Sequence, residues 1–457
     1  MLFFKAKVRR VKFWWNLSFA YFSRYRFWLL ASLLLFSSLI FTFYKLLPTI
    51  MRTNLITLGY VGIYTIETIP TEVLSLATQS FVSSGSDGKP IPSLASHWTV
   101  SDDGKTYVVF LKDNLKWHDE SPVSAKDISI AITGVQITAL NNKAIEFKLP
   151  NPIASFPLAL DKPVFKAKSF YGTGQFRIVD IDQVEKTVKK ISLVPKDKGL
   201  PKVDIKFYQN EDQAINALRL GEIKSLNISG AKLLENWPNL DVEKIVNQDQ
   251  IITIFYNNED PLLSSKDLRL ALSYAINKSD FDGQLATSPI SPTSWAYNNA
   301  TKRYEYNTSK SKELLLKSGV QKPKIDLTYT QGLENLAERI QKDWQEIGID
   351  VEVKSEKGIP KDFQALLTYD RLMPDPDQYS LWHSTQKSTN ITRYKNVKID
   401  KLLEDARTTQ DEAKRKQLYS DFQRFLVEDA PVTFLYYPYE YRITYKNIKP
   451  LISKLPK

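Results

Sequence analysis

The 457-residue chain contains no cysteine and only three histidines, His97, His118 and His383. Without cysteine it forms no disulfide, holds no zinc ion through thiolates and has no cysteine nucleophile. The histidines lie far apart in sequence, and none of them has the H-x-H or H-x-x-x-H spacing that would present two imidazoles to one metal ion. The sequence therefore predicts no metal site.

Catalytic and nucleotide-binding motifs are also missing. The chain has no G-x-S-x-G elbow, no Walker A loop and no G-x-G-x-x-G fingerprint. Gly172 and Gly174 precede a strand pattern, whereas a phosphate-binding glycine loop leads into a helix. Adjacent acids such as Asp102 and Asp103 fall in turn sequences, where carboxylates usually cap the turn or face solvent. These absences favour a binding protein without a cofactor over an enzyme.

Acidic residues are absent from the first 45 residues, which carry eight basic ones. The whole chain has a net charge of +11, so about +3 remains for everything that follows. The basic pI therefore describes the N-terminal segment rather than the main body of the protein. A nearly balanced body lacks the broad positive face that nucleic acid requires, and we expect no nucleic-acid partner.

An apolar run covers Phe27 to Tyr44, which is eighteen residues without a charge. That length is near the minimum for a membrane-spanning helix. Seven basic residues precede the run and predict a cytoplasmic N-terminus with the main body outside the cytoplasm. The alternative is a cleaved signal peptide, but no small-x-small cleavage site follows, since residues 45–50 read KLLPTI. We expect a single-pass cell-membrane anchor at 27–44, preceded by a basic cytoplasmic or interfacial segment at 1–26 and followed by a linker at 45–54.

Strand patterns and helix patterns alternate along the rest of the chain. Val203, Ile205 and Phe207 alternate as in a strand, and a helix pattern over 213–220 follows and ends at Gly221. Three more helices are predicted by apolar residues at helical spacing: residues 266–277, 336–347 and 411–427. This alternation predicts an α/β protein.

Several segments, taken in order, resemble the family 5 extracellular solute-binding proteins, which are the dipeptide, oligopeptide and nickel receptors of ABC importers. Ile91 to Trp98 resembles the P-x-L-A-x-x-W segment of that family, and Gly172 to Phe176 resembles its G-T-G-P-Y turn, with Gln175 in place of proline. The other matching segments are Ser101–Tyr107, Leu111–Asp119, Pro122–Asp127, Leu220–Ile223, Lys266–Lys278, Ser311–Gly319 and Asp375–Asp377, the last of which reads D-P-D.

The resemblance implies a two-lobed, periplasmic-binding-protein-like α/β fold of type II, similar to cluster C, whose lobes close on a ligand by hinge motion. The first lobe would comprise residues 55–85, 172–255 and 430–457, and the second lobe residues 256–429. An inserted domain would occupy residues 86–171. Fewer than twenty residues separate Asp127 from the strand pattern at Ile145, where the family has a long helical region. We therefore expect a shortened inserted domain.

The resemblance also implies a function. A protein of this family would bind peptides or a similar small solute between its lobes, perform no chemistry on it, and deliver it to ABC permease subunits. The alternative left open is a tethered sensor or assembly partner that uses the same fold without transport.

Seven residues are candidate ligand contacts: Asn257, Trp295, Tyr297, Asp370, Arg371, Tyr379 and Trp382. A peptide carries an ammonium and a carboxylate, and each needs a partner when water is removed. Asp370 precedes the D-P-D segment, as the ammonium-binding aspartate of peptide receptors does, and Arg371 could bind a carboxylate by two hydrogen bonds.

The remaining candidates are polar or aromatic. Trp295 and Tyr297 belong to a segment, residues 291–298, that resembles the cleft-lining segment of the family, and flat aromatic faces offer adaptable apolar contact. Asn257 could hydrogen-bond a ligand or cap the next turn. Tyr379 and Trp382 could line the cleft or belong to the core.

Overall fold

The computed structural model describes residues 2–50, 55–229, 234, 237–279 and 281–456. They form two compact units, Met1–Leu55 and Ile56–Lys457. In chain order the α-helices within the described residues are α1 (Leu2–Ile50), α2 (Thr71–Leu74), α3 (Glu211–Arg219), α4 (Lys266–Ala275), α5 (Thr308–Lys317), α6 (Glu334–Gln345), α7 (Tyr379–Trp382), α8 (Val397–Thr408), α9 (Glu412–Asp429) and α10 (Lys449–Ile452).

The described strands lie in the second unit, apart from Leu55 at the start of β1. In chain order they are β1 (Leu55–Val61), β2 (Val82–Ser84), β3 (Pro90–Pro92), β4 (Ala95–Val100), β5 (Thr106–Leu111), β6 (Gln136–Ala139), β7 (Ala144–Lys148), β8 (Phe176–Val184), β9 (Thr187–Pro195), β10 (Lys202–Tyr208), β11 (Ser225–Ile228), β12 (Leu240–Val246), β13 (Gln250–Tyr256), β14 (Gly283–Leu285), β15 (Lys324–Thr330), β16 (Asp350–Glu356), β17 (Ala365–Arg371) and β18 (Val432–Tyr445).

The first unit consists mainly of α1, a single helix that runs through the predicted anchor at 27–44. Many of its described side chains are apolar and exposed, including Leu33, Phe36 and Phe41. No helix, over the residues that the structure describes, is long and apolar enough to cross a bilayer, and the predicted transmembrane helix is not confirmed. The side chains of residues 29, 30, 43 and 44, and linker residues 51–54, lie outside the described part of the chain.

The second unit is organised by one large sheet in which β18 is shared between two halves. The first part of β18 pairs with β13 and β14, and its last part pairs with β11 and β12. Strands β1 and β8–β12 thus lie at one end of the sheet, and β13–β17 at the other. Because β18 is continuous, it connects the two halves through the backbone hydrogen bonds of a single strand.

Strand β13, which lies between β17 and β18 in the half built from β13–β17, is buried on both faces. All residues from Ile251 to Tyr256 are buried, as expected for a central strand covered by helices. Ile252 and Ile254 pack with α4 and α6 in one core cluster, whereas Ile251 and Phe255 pack with α8 and α9 in the other. The alternation places a helical layer on each face of the sheet and leaves functional groups to strand ends and connecting loops.

Residues of the predicted inserted domain form a small structure with its own core. Strands β4, β5, β7 and β6 make a four-stranded antiparallel sheet. Its core cluster includes the fully buried Trp117 and Phe147, and it also contains Phe81 from the predicted first lobe. A separate core of this kind is what a domain inserted into a lobe requires, and the domain boundaries given above stay a prediction.

The G-T-G turn is held by close backbone packing and by His118. An added Cβ atom would lie 2.2 Å from the Ala77 carbonyl oxygen at Gly172, and 2.5 Å from the Ala77 carbonyl carbon at Gly174. The Gly172 N–H donates to His118 Nδ1 (3.1 Å), so Nε2 carries the proton and donates to the Gly174 carbonyl (3.1 Å). Burial lowers the pKa of His118 and favours this neutral form. The turn therefore has a structural role, as its position before a strand predicted.

Candidate ligand-binding site

Helix α9 carries buried polar side chains that position the segment containing Trp295 and Tyr297. Its N-terminus is capped by Asp411, whose side chain accepts from the Lys414 N–H. Arg415, Tyr419 and Gln423 follow at intervals of four residues, so they lie on one face of the helix. All three are buried.

Gln423 fixes the backbone of residues 288–298 from inside. Its Nε2 donates to the Ala296 carbonyl (2.8 Å), and its Oε1 accepts from Ser288 Oγ (2.7 Å) and from the Asn298 N–H (3.0 Å). A buried amide that uses both of its ends determines the path of the loop that it contacts. Trp295 and Tyr297 lie in this loop.

Trp295 packs against the other two residues of this helix face. Its ring lies edge-on to Tyr419 at 6.1 Å, and the Arg415 guanidinium carbon lies 5.2 Å from the ring centre. The backbone N–H of Trp295 donates to the Asp87 carbonyl (2.8 Å). Trp295 thus contacts the predicted inserted domain through its backbone N–H and the predicted second lobe through its ring, and the residue remains partly exposed.

The D-P-D segment is joined to α9 by an ion pair with Arg415, the residue that packs on Trp295. Arg415 Nη2 contacts both carboxylate oxygens of Asp375, at 3.1 and 3.3 Å, and Arg415 Nε donates to the Ala406 carbonyl (3.1 Å). Asp375 and Arg415 are only 8% and 7% exposed. Burial raises the pKa of the Asp375 carboxyl, and the charge of Arg415 opposes that shift. The ion pair with Arg415 therefore favours the ionised form of Asp375.

The second acid of the segment makes a contact with the predicted inserted domain. Asp377 Oδ2 accepts from Ser155 Oγ (3.2 Å) and lies 3.6 Å from Arg407 Nε. The Ala154 N–H donates to the Arg407 carbonyl (2.8 Å). Lys89 also pairs with Glu412 at 2.8 Å, so several polar contacts join residues 86–171 to helices α8 and α9.

Two cavities adjoin the loop of residues 288–298. The first cavity has a volume of about 650 Å³ and the second about 460 Å³, and Pro292, Tyr297 and Asn299 line both. Trp295 lines the second cavity. The walls of both come from residues 277–434, so each lies within the sheet half of β13–β17 and its loops. Of the predicted first lobe, Val432, Thr433 and Phe434 of β18 line the first cavity, and no described residue of that lobe lines the second.

The structure brings Trp295 and Tyr297 together at these cavities and places the other candidates elsewhere. Trp382 is 2% exposed and donates to Gln378 Oε1 (3.3 Å), so its position favours the core alternative. Tyr379 stacks on His383 at 4.2 Å. Asn257 Oδ1 accepts from the Glu259 N–H (3.1 Å) and caps the turn after β13.

Asp370 and Arg371 lie at the end of β17. Arg371 is exposed, while Asp370 is partly buried and pairs in register with Ile251 of β13. No cationic side chain among the described residues forms an ion pair with Asp370. Burial raises its pKa to about 6, and a hydrogen bond from the Arg371 backbone opposes the rise. A partly buried carboxylate without a cationic partner would be stabilised by a cation that another molecule supplies.

Comparison with known proteins supports the family resemblance. Residues 89–135 and 129–391 match the model of the bacterial extracellular solute-binding proteins, family 5 Middle. Oligopeptide-binding protein AppA of Bacillus subtilis is 27% identical over 440 residues, which cover 78% of this chain and 80% of that protein. Di/tripeptide-binding protein 1 of Pseudomonas aeruginosa is 26% identical over 437 residues, covering 76% and 80%.

Solved structures show the same fold. The substrate-binding protein CtaP of an ABC transporter from Listeria monocytogenes has a TM-score of 0.73 at 21% identity, covering 86% of this chain and 94% of that one. AppA of Bacillus subtilis, in complex with a nonapeptide, has a TM-score of 0.67 at 23% identity with the same coverage. The second unit thus has the two-lobed α/β fold of these proteins. The motifs, the sheet topology and the matched segments together identify the chain as a member of the bacterial extracellular solute-binding proteins, family 5.

Proposed function

We propose that this protein binds a peptide, or a solute of similar size and chemistry, between its two α/β lobes outside the cytoplasm and passes it to the permease of an ABC importer, without chemical change. Family membership supports this function, and so do the relatives named for binding oligopeptides and di- or tripeptides. The observation that carries it is the position of Trp295, held by Asp87 on one side and by α9 on the other.

Two groups would act on a peptide in this proposal. Trp295 would offer a partly exposed aromatic face that contacts side chains or backbone without selecting a sequence. Asp370, which has no cationic partner within ion-pair distance among the described residues, would pair with the ammonium of the peptide. The ligand would supply the charge that keeps this carboxyl ionised below its raised pKa of about 6.

Replacing Trp295 with alanine should weaken ligand binding by about 1–3 kcal/mol, because an aromatic anchor at a desolvated contact contributes about this much. The ligand is identified first by mass spectrometry of the solute released when the purified full-length protein is denatured. Its affinity is then measured by calorimetry with wild-type and W295A protein.

The matched control is Trp237→Ala, which removes a partly buried indole from the other half of the sheet, where it packs near Arg219. Affinity should be unchanged in this variant. Equal affinities for W295A and wild type, in proteins with the same melting temperature, would remove Trp295 from the site.

We also propose that the N-terminal helix anchors the protein to the cell membrane with residues 1–26 on the cytoplasmic side. The eight basic residues without an acid in residues 1–45 support this orientation. The exposed apolar side chains of α1, such as Leu34, Leu35 and Ile40, would gain free energy from burial in lipid.

Washing membranes with alkaline carbonate tests the anchor. The full-length chain should stay in the pellet, because carbonate releases peripheral proteins and leaves anchored ones in place. Deleting residues 27–44 should move the protein to the supernatant. A wild-type chain released by the wash, at full or reduced length, would contradict the anchor.

A further inference from the structure

We propose that the first cavity is a second binding site, separate from the interlobe cleft, for a small molecule that carries one carboxylate on an apolar or aromatic body. The cavity holds about 650 Å³, which is within the range of pockets for small organic ligands. Among the described residues its walls come from 277–434, which belong to the predicted second lobe except for Val432, Thr433 and Phe434, and these three lie in the part of β18 that pairs with β13. A ligand there would not need the two lobes to move.

The charge of the cavity is one-sided. Among the described residues, Lys278, Lys302 and Arg303 line it together with one acid, Glu305. No carboxylate among the described residues forms an ion pair with any of the three cations. The three cations therefore carry more positive charge than the acid in the cavity wall neutralises. A wall of this kind attracts an anionic ligand.

Lys278 is the cation best placed to bind an anion strongly. It follows α4, and its Nζ donates to the Tyr304 carbonyl at 3.1 Å. An ammonium has three donors, so two remain available for a ligand oxygen. Its surroundings remove water from the ammonium, so its pKa falls to about 8. Lys302 and Arg303 are exposed at the rim, where solvent screens their charges.

Part of the cavity wall is apolar. Ala286, Val432 and Phe434 line the cavity and are each no more than 6% exposed, and Val427 is 3% exposed. Tyr297, Tyr304 and Tyr306 also line the cavity. A partly buried cation in a cavity that also has apolar walls fits a monocarboxylate with a hydrocarbon or aromatic body, because the body replaces water at the apolar residues while the carboxylate meets Lys278.

A matched pair of probes tests the site: N-acetyl-L-phenylalanine and its neutral amide. Neither has a free amino group, so neither uses Asp370, and failure here would leave the peptide proposal intact. Calorimetry with the full-length protein at pH 7 should show the carboxylate binding at least about tenfold more tightly than the amide, as expected for a charge-assisted contact. Equal affinities, or no saturable binding of the carboxylate, would overturn the proposal.

Substitutions assign the effect to Lys278. Lys278→Met should weaken binding of the carboxylate probe by about tenfold and leave binding of the amide probe unchanged, because the substitution removes the charge and keeps an apolar side chain. Lys312→Met, at an exposed position of α5, is the matched control and should change neither. A K278M protein that binds the carboxylate as tightly as wild type would overturn the assignment.

The pH dependence gives an independent readout. Lys278 loses its proton as the pH rises through about 8, so carboxylate affinity of the wild type should fall between pH 7 and pH 9.5. The other titratable groups that line the cavity within the described part of the chain are Lys302, Arg303, Glu305 and the three tyrosines. Lys278→Arg keeps a cation at every pH in this range and should remove most of the decrease. A decrease of the same size in K278R would mean that another group titrates.

Discussion

Replacing Asp375 with asparagine is expected to lower the free energy of unfolding by about 3–5 kcal/mol, the range found when one member of a buried ion pair is removed. The substitution keeps the shape of the side chain but leaves Arg415, 7% exposed, without its carboxylate. The side chains of this pair are only 9% and 10% exposed, so solvent screens the loss very little. Urea denaturation followed by tryptophan fluorescence measures the effect.

Asp377→Asn is the matched control two residues further on. Its carboxylate lies 3.6 Å from Arg407 Nε, and that arginine side chain is 29% exposed. We expect a loss of about 1 kcal/mol, close to that of an ordinary hydrogen bond or partly exposed pair. A loss as large as that of D375N would mean that the D-P-D backbone, and not the buried pair, determines the stability.

A double substitution separates the ion pair from the packing of the segment. Asp375→Leu together with Arg415→Met removes both charges and keeps apolar volume, which is often neutral for a buried pair. The double variant should therefore be more stable than either Asp375→Leu or Arg415→Met alone. If its loss equals the sum of the two single losses, the two side chains do not interact and this account of the segment is wrong.

Much of the fold was predictable because local rules and packing agree. The pattern at 336–347 predicted a helix, and α6 occupies Glu334–Gln345 with Ala337, Ile340 and Trp344 buried. The pattern at 411–427 predicted α9, and Phe422 and Leu426 of that helix are fully buried. In α9 the apolar period and the capping residue Asp411 indicate the same start.

The polar part of the site was not predictable in the same way. Arg415 and Gln423 resemble solvent-facing residues of an amphipathic helix, because a polar side chain in sequence gives no sign that a partner exists inside the protein. Their partners, Asp375 and Ala296, lie 40 and 127 residues away. The D-P-D resemblance gave the only signal for this network, and it did not indicate which arginine would complete it.

The candidate ligand contacts that were chosen by residue type do not all lie at a cavity. Trp382 and Trp295 are equally suited to a ligand site by composition, yet the first is in the core and the second is partly exposed at a cavity. Only the packing of α9 against the two segments distinguishes them. Lys278 lies within the helix segment that resembles the family, and nothing in its sequence context indicated a cavity.

The other large effect is expected from Gly172→Ala, which should lower the free energy of unfolding by about 3 kcal/mol, the upper part of the range for overpacking. The added Cβ would lie 2.2 Å from the Ala77 carbonyl oxygen and 2.4 Å from Thr78 Cβ. Both are parts of the chain that cannot rotate away, so the backbone itself must move. That movement would also lengthen the hydrogen bond from the Gly172 N–H to His118 Nδ1.

Gly358→Ala is the control because no atom of the described residues, other than those of its chain neighbours, lies within 4 Å of its added Cβ. Replacing a glycine whose site accepts alanine reduces the entropy of the unfolded chain and stabilises proteins by about 0.4–1 kcal/mol. The two variants should therefore change the urea midpoint in opposite directions, although both exchange hydrogen for methyl. A G172A protein as stable as G358A would mean that residues 76–78 accommodate the methyl group, and that glycine is not required for the close approach of these two segments.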